Sequence, residues 1–200
     1  HTPQAPSAIK IDDGIKFFTG QGFDDPVVPE EMKESEIEHI IDRFENSVKV
    51  AQKSGFDGIE IHAANGYLLD NFLRDESNQR NDKYGGSIQN RCRVVLEVVD
   101  RTIKIFGSKR VGIKVSPVGR FNHMYDSNPV ELYNYLFAEL NKRDIGYVSM
   151  FEFDGWPKNP RGPGTDQIKN CAVQFRKNIS SPIMTTGQMT DIDEAVRRIQ

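Results

Sequence analysis

The feature that most constrains the fold of this chain is a unit of strand, loop and helix that recurs along its length. Short strands are predicted at residues 56–62, 110–116, 145–152 and 182–186, and a helical pattern follows each of them. These helices are predicted over 88–106, from Pro129 through Leu140, over roughly 165–177, and after a cap at Thr190. Consecutive strands joined by helices form right-handed crossovers and a parallel sheet. The predicted fold class is therefore α/β.

The periodicity also predicts where elements begin and end. An apolar face recurs at helical spacing between residues 34 and 54, with Ser35 as the predicted N-cap and Gly55 as the stop. Gly107 is the predicted stop of the helix over 88–106. Residues 1–33 contain four prolines and little periodicity, so an irregular arm or hairpin is predicted there. We expect residues 1–200 to form a single domain.

Charge and cysteine content exclude several classes of function. Lys and Arg total 26 against 29 Asp and Glu, so the chain lacks the basic excess that binds nucleic acid or a membrane surface. Cys92 and Cys171 are far apart, which argues against a disulfide scaffold, a C-x-x-C redox motif or a zinc site. These two cysteines also lack the spacing of an iron–sulfur cluster motif. No apolar run approaches the ~20 residues of a membrane span. We expect a cytoplasmic protein, although the chain begins at His1 and its natural N-terminus can lie upstream.

The first predicted strand leads into an unusually long connection, from residue 63 to 87, of the length that functional loops have. His62, Asn65 and Tyr67 stand at its start and are predicted to share one helical turn. Histidine and asparagine can donate hydrogen bonds to a substrate oxygen, and a phenol can protonate a basic carbanion. The residues alone leave a second interpretation open, in which His62 is hydrogen-bonded at the strand end and Tyr67 packs as an amphipathic side chain.

Several motifs carry a resemblance to a known family. Residues 54–91 combine a strand-ending histidine, an Asn-Gly-Tyr-Leu-Leu turn, the run Asn-Gln-Arg-Asn-Asp-Lys-Tyr-Gly-Gly-Ser at 78–87, and Asn90-Arg91. Further matching segments are VGIKVSPVG at 111–119, MYDSNP at 124–129 and PIMTTGQ at 182–188. Together these resemble the Old Yellow Enzyme family of FMN-dependent ene-reductases, which includes 12-oxophytodienoate reductase-like NADH:flavin oxidoreductases.

The resemblance implies both a fold and an activity. It implies an eight-stranded parallel β/α (TIM) barrel, of which this chain covers roughly the central strands four to seven. It also implies that FMN, reduced by NADPH or NADH, serves to reduce the C=C bond of a small-molecule enone. His62 and Asn65 match the pair that holds the substrate carbonyl, and Tyr67 matches the proton donor. Some relatives carry histidine at the position of Asn65.

Three further positions match the family's flavin contacts. Lys114 lies on the polar face of the second predicted strand, where the residues alone favour a structural cation paired with an acid such as Glu60. The family commonly places arginine there, beside the flavin N1 and O2 atoms, and lysine keeps the charge without the planar fork. Gly187 and Gln188 match a turn whose backbone amides contact the FMN phosphate. Glycine after a strand is also ordinary loop chemistry.

The remaining motif residues have structural interpretations. Arg80, Asp82, Tyr84 and Arg91 are predicted to brace the long connection through ion pairs and hydrogen bonds. Trp156 lies in a segment rich in proline and glycine and remains without an assigned role. Four strands leave sheet edges open, so we expect missing segments or a second chain to complete the barrel, and this chain alone to bind FMN poorly. Alternatives are a catalytically inactive relative with an interaction role and another flavoenzyme such as a dienoyl reductase.

Overall fold

The structure, a computed structural model, describes residues 2–11, 14, 16–152, 168, 170–187 and 196. Its strands are β1 (Gln4–Ala5), β2 (Phe17–Phe18), β3 (Phe23–Asp24), β4 (Glu30–Glu31), β5 (Ile59–Ala63), β6 (Val111–Val115), β7 (Tyr147–Glu152) and β8 (Ile183–Gly187). Its α-helices are α1 (Glu34–Lys53), α2 (Leu68–Leu73), α3 (Ile88–Phe106), α4 (Pro129–Lys142) and α5 (Cys171–Phe175).

Strands β5 to β8 form one parallel sheet in chain order within the described residues. The register places His62, Lys114, Ser149 and Met184 in a single row across the four strands. The predicted α/β class with a parallel sheet is therefore confirmed. In the described part of the chain the sheet is not closed into a barrel, because β5 and β8 each have a neighbour on one side only.

The two faces of this sheet differ in character because apolar and polar residues alternate along each strand. Ile61, Ile113 and Val148 are buried on the face covered by the helices and form the core with α1, α3 and α4. The opposite face carries Glu60 and His62, which are exposed, together with half-buried side chains on β6 and β7. In a closed barrel this second face is the interior.

The helix boundaries follow the apolar periodicity closely. Helix α3 spans the predicted residues, and Gly107 ends it with a φ of 81°. The prediction of Ser35 as the N-cap of α1 is wrong, because Ser35 lies inside the first turn and the helix is preceded by Lys33, whose N–H donates to Glu36 Oε2 over 2.7 Å. Of the last predicted helix, after Thr190, only residue 196 is among the described residues, and of 165–169 only residue 168 is.

The first 33 residues contribute four two-residue strands. Strands β1 and β4 pair in parallel, while β2 and β3 form an antiparallel hairpin. Arg80, from the long connection after β5, donates from Nη1 to the carbonyl oxygens of Pro6 at 2.8 Å and Met32 at 2.6 Å. This single guanidinium therefore ties both ends of the arm to the body of the domain.

Gly112 provides the space for a polar contact that crosses β6. The Tyr147 hydroxyl donates to Glu60 Oε2 over 2.9 Å. Burial, which is the larger cause, and this hydrogen bond together raise the pKa of Tyr147 to about 12. A Cβ at Gly112 would lie 2.3 Å from the Tyr147 ring.

We expect Gly112→Ala to displace the ring and lower the free energy of unfolding by about 1–3 kcal/mol. Chemical denaturation checks this value against Gly22→Ala, where a Cβ meets nothing within 4 Å and no loss is expected.

Candidate active site

The carboxyl ends of β5 and β6 place two predicted site residues side by side. His62 and Lys114 are register partners in adjacent parallel strands, so their side chains emerge on the same face about 5 Å apart. Lys114 is half-buried and has no carboxylate or hydrogen-bond partner among the described residues. The suggested pairing of Lys114 with Glu60 is wrong, because no ion pair joins these two side chains among the described residues, and the Glu60 carboxylate accepts from the Tyr147 hydroxyl.

The turn after β5 is not helical, so the prediction that His62, Asn65 and Tyr67 share one helical turn is wrong. Strand β5 continues to Ala63, and Asn65 and Gly66 then adopt left-handed φ values of 58° and 72°. Tyr67 is extended and immediately precedes α2. The turn nevertheless folds back on the strand end, so the rings of His62 and Tyr67 lie 5.3 Å apart between centroids.

The three side chains remain available to a ligand. Tyr67 is 55% exposed, His62 is exposed and Asn65 is half-buried. None of their side-chain polar atoms hydrogen-bonds another described residue, and His62 contacts Tyr67 only through the rings. The interpretation of His62 as a hydrogen-bonded structural residue needs a partner for its side chain, and none is found among the described residues. The site offers an imidazole, a carboxamide and a phenol whose donors no described residue engages, next to a cation.

The backbone of this turn is held by a buried polar network. Ser116, the first residue after β6, accepts a hydrogen bond from Asn65 N–H at its Oγ over 2.8 Å. Asp70 Oδ2 accepts from Gly66 N–H over 3.0 Å, and Asp70 Oδ1 accepts from Arg74 Nε over 2.9 Å. These residues were not predicted, although Ser116 lies in a matched motif and Asp70 and Arg74 have the i, i+4 spacing of a helical ion pair.

The loop after β6 holds the same turn from a second side. Asn122 Nδ2 donates to the Asn65 carbonyl oxygen over 3.0 Å. A Cβ at Gly66 would lie 2.5 Å from Asn122 Cβ and 2.7 Å from the Phe121 carbonyl oxygen. Glycine at position 66 is thus required both by its left-handed conformation and by this close approach of two loops.

The rest of the long connection is braced as the sequence predicts. Arg80 forms an ion pair with Asp82, and its guanidinium hydrogen bonds lower the pKa of that carboxyl group. Asp82 also accepts from Tyr84 N–H over 2.9 Å. Arg91 Nη1 reaches the Leu73 carbonyl at 2.8 Å, and Arg91 forms a buried ion pair with Asp126. These residues therefore stabilise the conformation of the long connection through contacts with other protein groups.

The third part of the site is at the end of β8. Gly187 pairs with Glu152 at the carboxyl end of β7, with a φ of 146°. A Cβ at Gly187 would lie 1.8 Å from the Glu152 carbonyl oxygen, so packing against β7 already requires glycine here. Gln188 and Trp156 lie outside the described residues.

Other kinds of site are not found in the part of the chain that the structure describes. There, no group of three His, Cys, Asp or Glu side chains is arranged to hold a metal ion. Cys92 and Cys171 are both buried, and burial raises the pKa of the Cys92 thiol to about 12. None of the described helices is long and apolar enough to cross a membrane.

Known proteins are similar to this chain in both sequence and three-dimensional structure. The profile of the NADH:flavin oxidoreductase / NADH oxidase family matches residues 2–200. A putative 12-oxophytodienoate reductase 3 from Oryza sativa subsp. japonica is 39% identical over 160 residues, which cover 80% of this chain and 41% of the relative. A probable flavin mononucleotide-dependent alkene reductase from Leishmania infantum is 36% identical over 200 residues, covering 98% of this chain and 52% of the relative.

A solved structure extends the match to three dimensions. The old yellow enzyme homologue from Zymomonas mobilis superposes with a TM-score of 0.88 at 30% sequence identity. The match covers 100% of this chain and 54% of that one. The chain therefore spans about half the length of the relatives it matches.

Proposed function

Because the chain belongs to the NADH:flavin oxidoreductase / NADH oxidase family, we propose that it supplies the substrate half of an FMN-dependent ene-reductase site. The Old Yellow Enzyme resemblance seen in the motifs is confirmed by the family profile and by the Zymomonas mobilis homologue. The proposed reaction reduces the C=C bond of an α,β-unsaturated carbonyl compound with NADPH or NADH. The observation that carries it is the convergence of His62 and Tyr67 next to Lys114 at the carboxyl edge of the sheet.

His62 and Asn65 act on the carbonyl oxygen in this proposal. Their N–H groups donate hydrogen bonds to that oxygen and stabilise the negative charge that develops on it when the β-carbon gains a hydride. The donors need no rearrangement of the protein, because none of them is engaged by another described residue. Fixed donors of this kind lower the free energy of the charged transition state more than that of the neutral ground state.

Tyr67 supplies the proton in this proposal. The enolate left after hydride addition carries an electron pair at its α-carbon, and the phenol O–H breaks to form the new C–H bond there. Tyr67 is 55% exposed in the structure, so water can return the proton to the phenolate after product leaves. The two electrons come from the nicotinamide and the proton from the phenol, so the product is the saturated carbonyl compound.

The residues at the strand ends are compatible with FMN. A bound FMN would supply the hydride transfer that connects the nicotinamide to the substrate β-carbon. Lys114 offers a half-buried ammonium without a partner among the described residues, on the same face as His62. We propose that this ammonium would stabilise the anionic reduced flavin from beside its N1 and O2 atoms, and that backbone amides at Gly187 and Gln188 would contact the phosphate.

Removing the charge of Lys114 tests this placement. We expect Lys114→Met to lower the midpoint potential of bound FMN by about 30 mV or more, equivalent to about 1.4 kcal/mol for two electrons, because a cation stabilises the reduced, anionic flavin. Lys114→Arg keeps the charge and should preserve the potential while tightening FMN binding through its planar fork. Spectroelectrochemistry measures both variants. Equal potentials in Lys114→Met and the unaltered protein contradict the placement.

The chain needs further strands to enclose a flavin. Within the described residues, both edges of the sheet are open and one face carries the exposed Glu60 and His62, which calls for more parallel strands, from the same polypeptide or from a second chain. We propose that such strands complete an eight-stranded barrel around the face that carries His62 and Lys114.

Cofactor analysis of the chain purified together with its completing strands tests the proposed function. The expected result for this complete barrel is one FMN for each site, no iron, and conversion of a simple enone to the saturated ketone with NADPH or NADH. FMN together with iron indicates a dienoyl reductase instead. Protein that takes up no FMN in the presence of its completing strands contradicts the proposal and favours an inactive relative with an interaction role.

A further inference from the structure

Ser116 stands at the junction of two loops and is bonded through both its side chain and its backbone. It is fully buried directly after β6. Its Oγ accepts from Asn65 N–H over 2.8 Å and donates to Asp70 Oδ2 over 3.2 Å. Its carbonyl oxygen accepts from Arg74 Nη2 over 2.6 Å. One residue of the second strand therefore determines where the turn after the first strand lies.

Asp70 and Arg74 extend these contacts into the core. Both side chains are fully buried, and the Asp70 carboxylate accepts from the Gly66 N–H, the Ser116 hydroxyl and the Arg74 guanidinium. Arg74 also lies over the Tyr133 ring at 5.2 Å. A buried ion pair of this kind is a weak source of stability relative to apolar packing, and its best-attested use is to specify one geometry.

The geometry specified here is a strained one. Asn65 has a φ of 58°, which a non-glycine residue adopts only at a cost of about 1 kcal/mol or more. The bond from Asn65 N–H to Ser116 and the bond from Asn122 to the Asn65 carbonyl hold both sides of this residue. Strain that is held in this way at a ligand-facing turn is a sign of pre-organisation.

We propose that Ser116, supported by Asp70 and Arg74, is a positioning residue that sets the placement of Asn65 and Tyr67 relative to His62. The inference rests on the proposed function, in which these three side chains act on one substrate. Ser116 touches none of the reacting atoms and acts through the Asn65 backbone. A displacement of about 1 Å at such a site costs about a hundredfold in rate, even when the displaced group keeps its chemistry.

Ser116→Ala tests the proposal, with Thr102→Val as the matched control. Thr102 is also buried, and its hydroxyl donates to the Val98 carbonyl over 2.8 Å within α3, so each substitution removes one buried, hydrogen-bonded hydroxyl. Thr102→Val should lose about 1 kcal/mol of stability, and Ser116→Ala about 1–3 kcal/mol because it leaves the Asn65 N–H without its acceptor. In FMN-loaded protein we expect Ser116→Ala alone to slow enone reduction about tenfold to a hundredfold per bound FMN. Thr102→Val should remain within about twofold.

Two readouts separate positioning from stability and from the proposed function. Ser116→Ala should weaken binding of a para-substituted phenol, whose oxygen can occupy the carbonyl-oxygen position, by about tenfold. It should also speed amide hydrogen exchange at Asn65 and Gly66 by about tenfold. Equal behaviour of Ser116→Ala and Thr102→Val overturns the inference. Unaltered protein that reduces no enone overturns the proposed function, while the exchange rates still decide whether Ser116 holds the turn.

A second variant covers the case in which Ser116→Ala does not load FMN. Asn122→Gly removes the other bond to Asn65 and tolerates the left-handed φ of 56° at that position. It should change phenol binding and amide exchange in the same direction as Ser116→Ala. No change in either measurement contradicts the claim that the held turn positions the site.

Discussion

Tyr67→Phe should slow the reduction of enones by about 10²–10⁴-fold per bound FMN, because the variant lacks the O–H that forms the new bond at the α-carbon. The ring itself remains, so its contact with His62, 5.3 Å between centroids, is retained. Binding of the substrate should therefore change little, and the loss should appear in kcat. Stopped-flow measurement of substrate-dependent flavin reoxidation checks this value.

Two comparisons make this first prediction specific. Flavin reduction by NADPH or NADH involves no proton transfer to substrate, so Tyr67→Phe should leave its rate unchanged. Tyr135→Phe, a half-buried tyrosine on α4, should leave both steps unchanged. An equal loss of both half-reactions in Tyr67→Phe contradicts the role of proton donor and indicates damage to the flavin site.

His62→Ala should slow enone reduction by about 10²–10³-fold, the usual consequence of losing one donor to a developing oxyanion. The substitution also removes the ring against which Tyr67 lies. Both KM and kcat should worsen, because the hydrogen bond forms with the carbonyl oxygen in the ground state and strengthens as charge develops. Steady-state kinetics with one enone at saturating reductant measures the two constants.

His39→Ala is the control for this second prediction. His39 is an exposed histidine on α1, outside the sheet face that carries the site, and its loss should have no effect on the reaction. A His62→Ala protein that keeps the full rate with bound FMN contradicts the proposed carbonyl contact. Loss of bound FMN in the variant indicates instead that His62 contributes to binding the cofactor.

The parts of the fold that depend on short-range patterning were predictable from the sequence. The apolar period of α3 gives its first and last residues, since Ser87 caps one end and Gly107 stops the other. The alternation along β5 and β6 likewise places His62 and Lys114 on the polar face of the sheet. Each of these features depends on neighbours within about one turn or two strand positions.

The shape of the turn at Asn65 and Gly66 was not predictable in this way. Helical spacing of His62, Asn65 and Tyr67 suggested one turn of helix, whereas the observed left-handed conformation is held by Ser116 and Asn122, more than fifty residues further along the chain. The partner of Glu60 was missed for the same reason. Tyr147 reaches Glu60 only because Gly112 on the intervening strand has no side chain.

A pair of anaerobic half-reactions, followed in the visible absorption of bound FMN, tests the proposed ene-reductase site most directly. NADPH or NADH should bleach the flavin band of the FMN-loaded protein, and addition of an enone should restore the band with formation of one saturated product per flavin. Bleaching by the nicotinamide without recovery by any enone contradicts the central claim that His62, Asn65 and Tyr67 form the substrate half of an ene-reductase site.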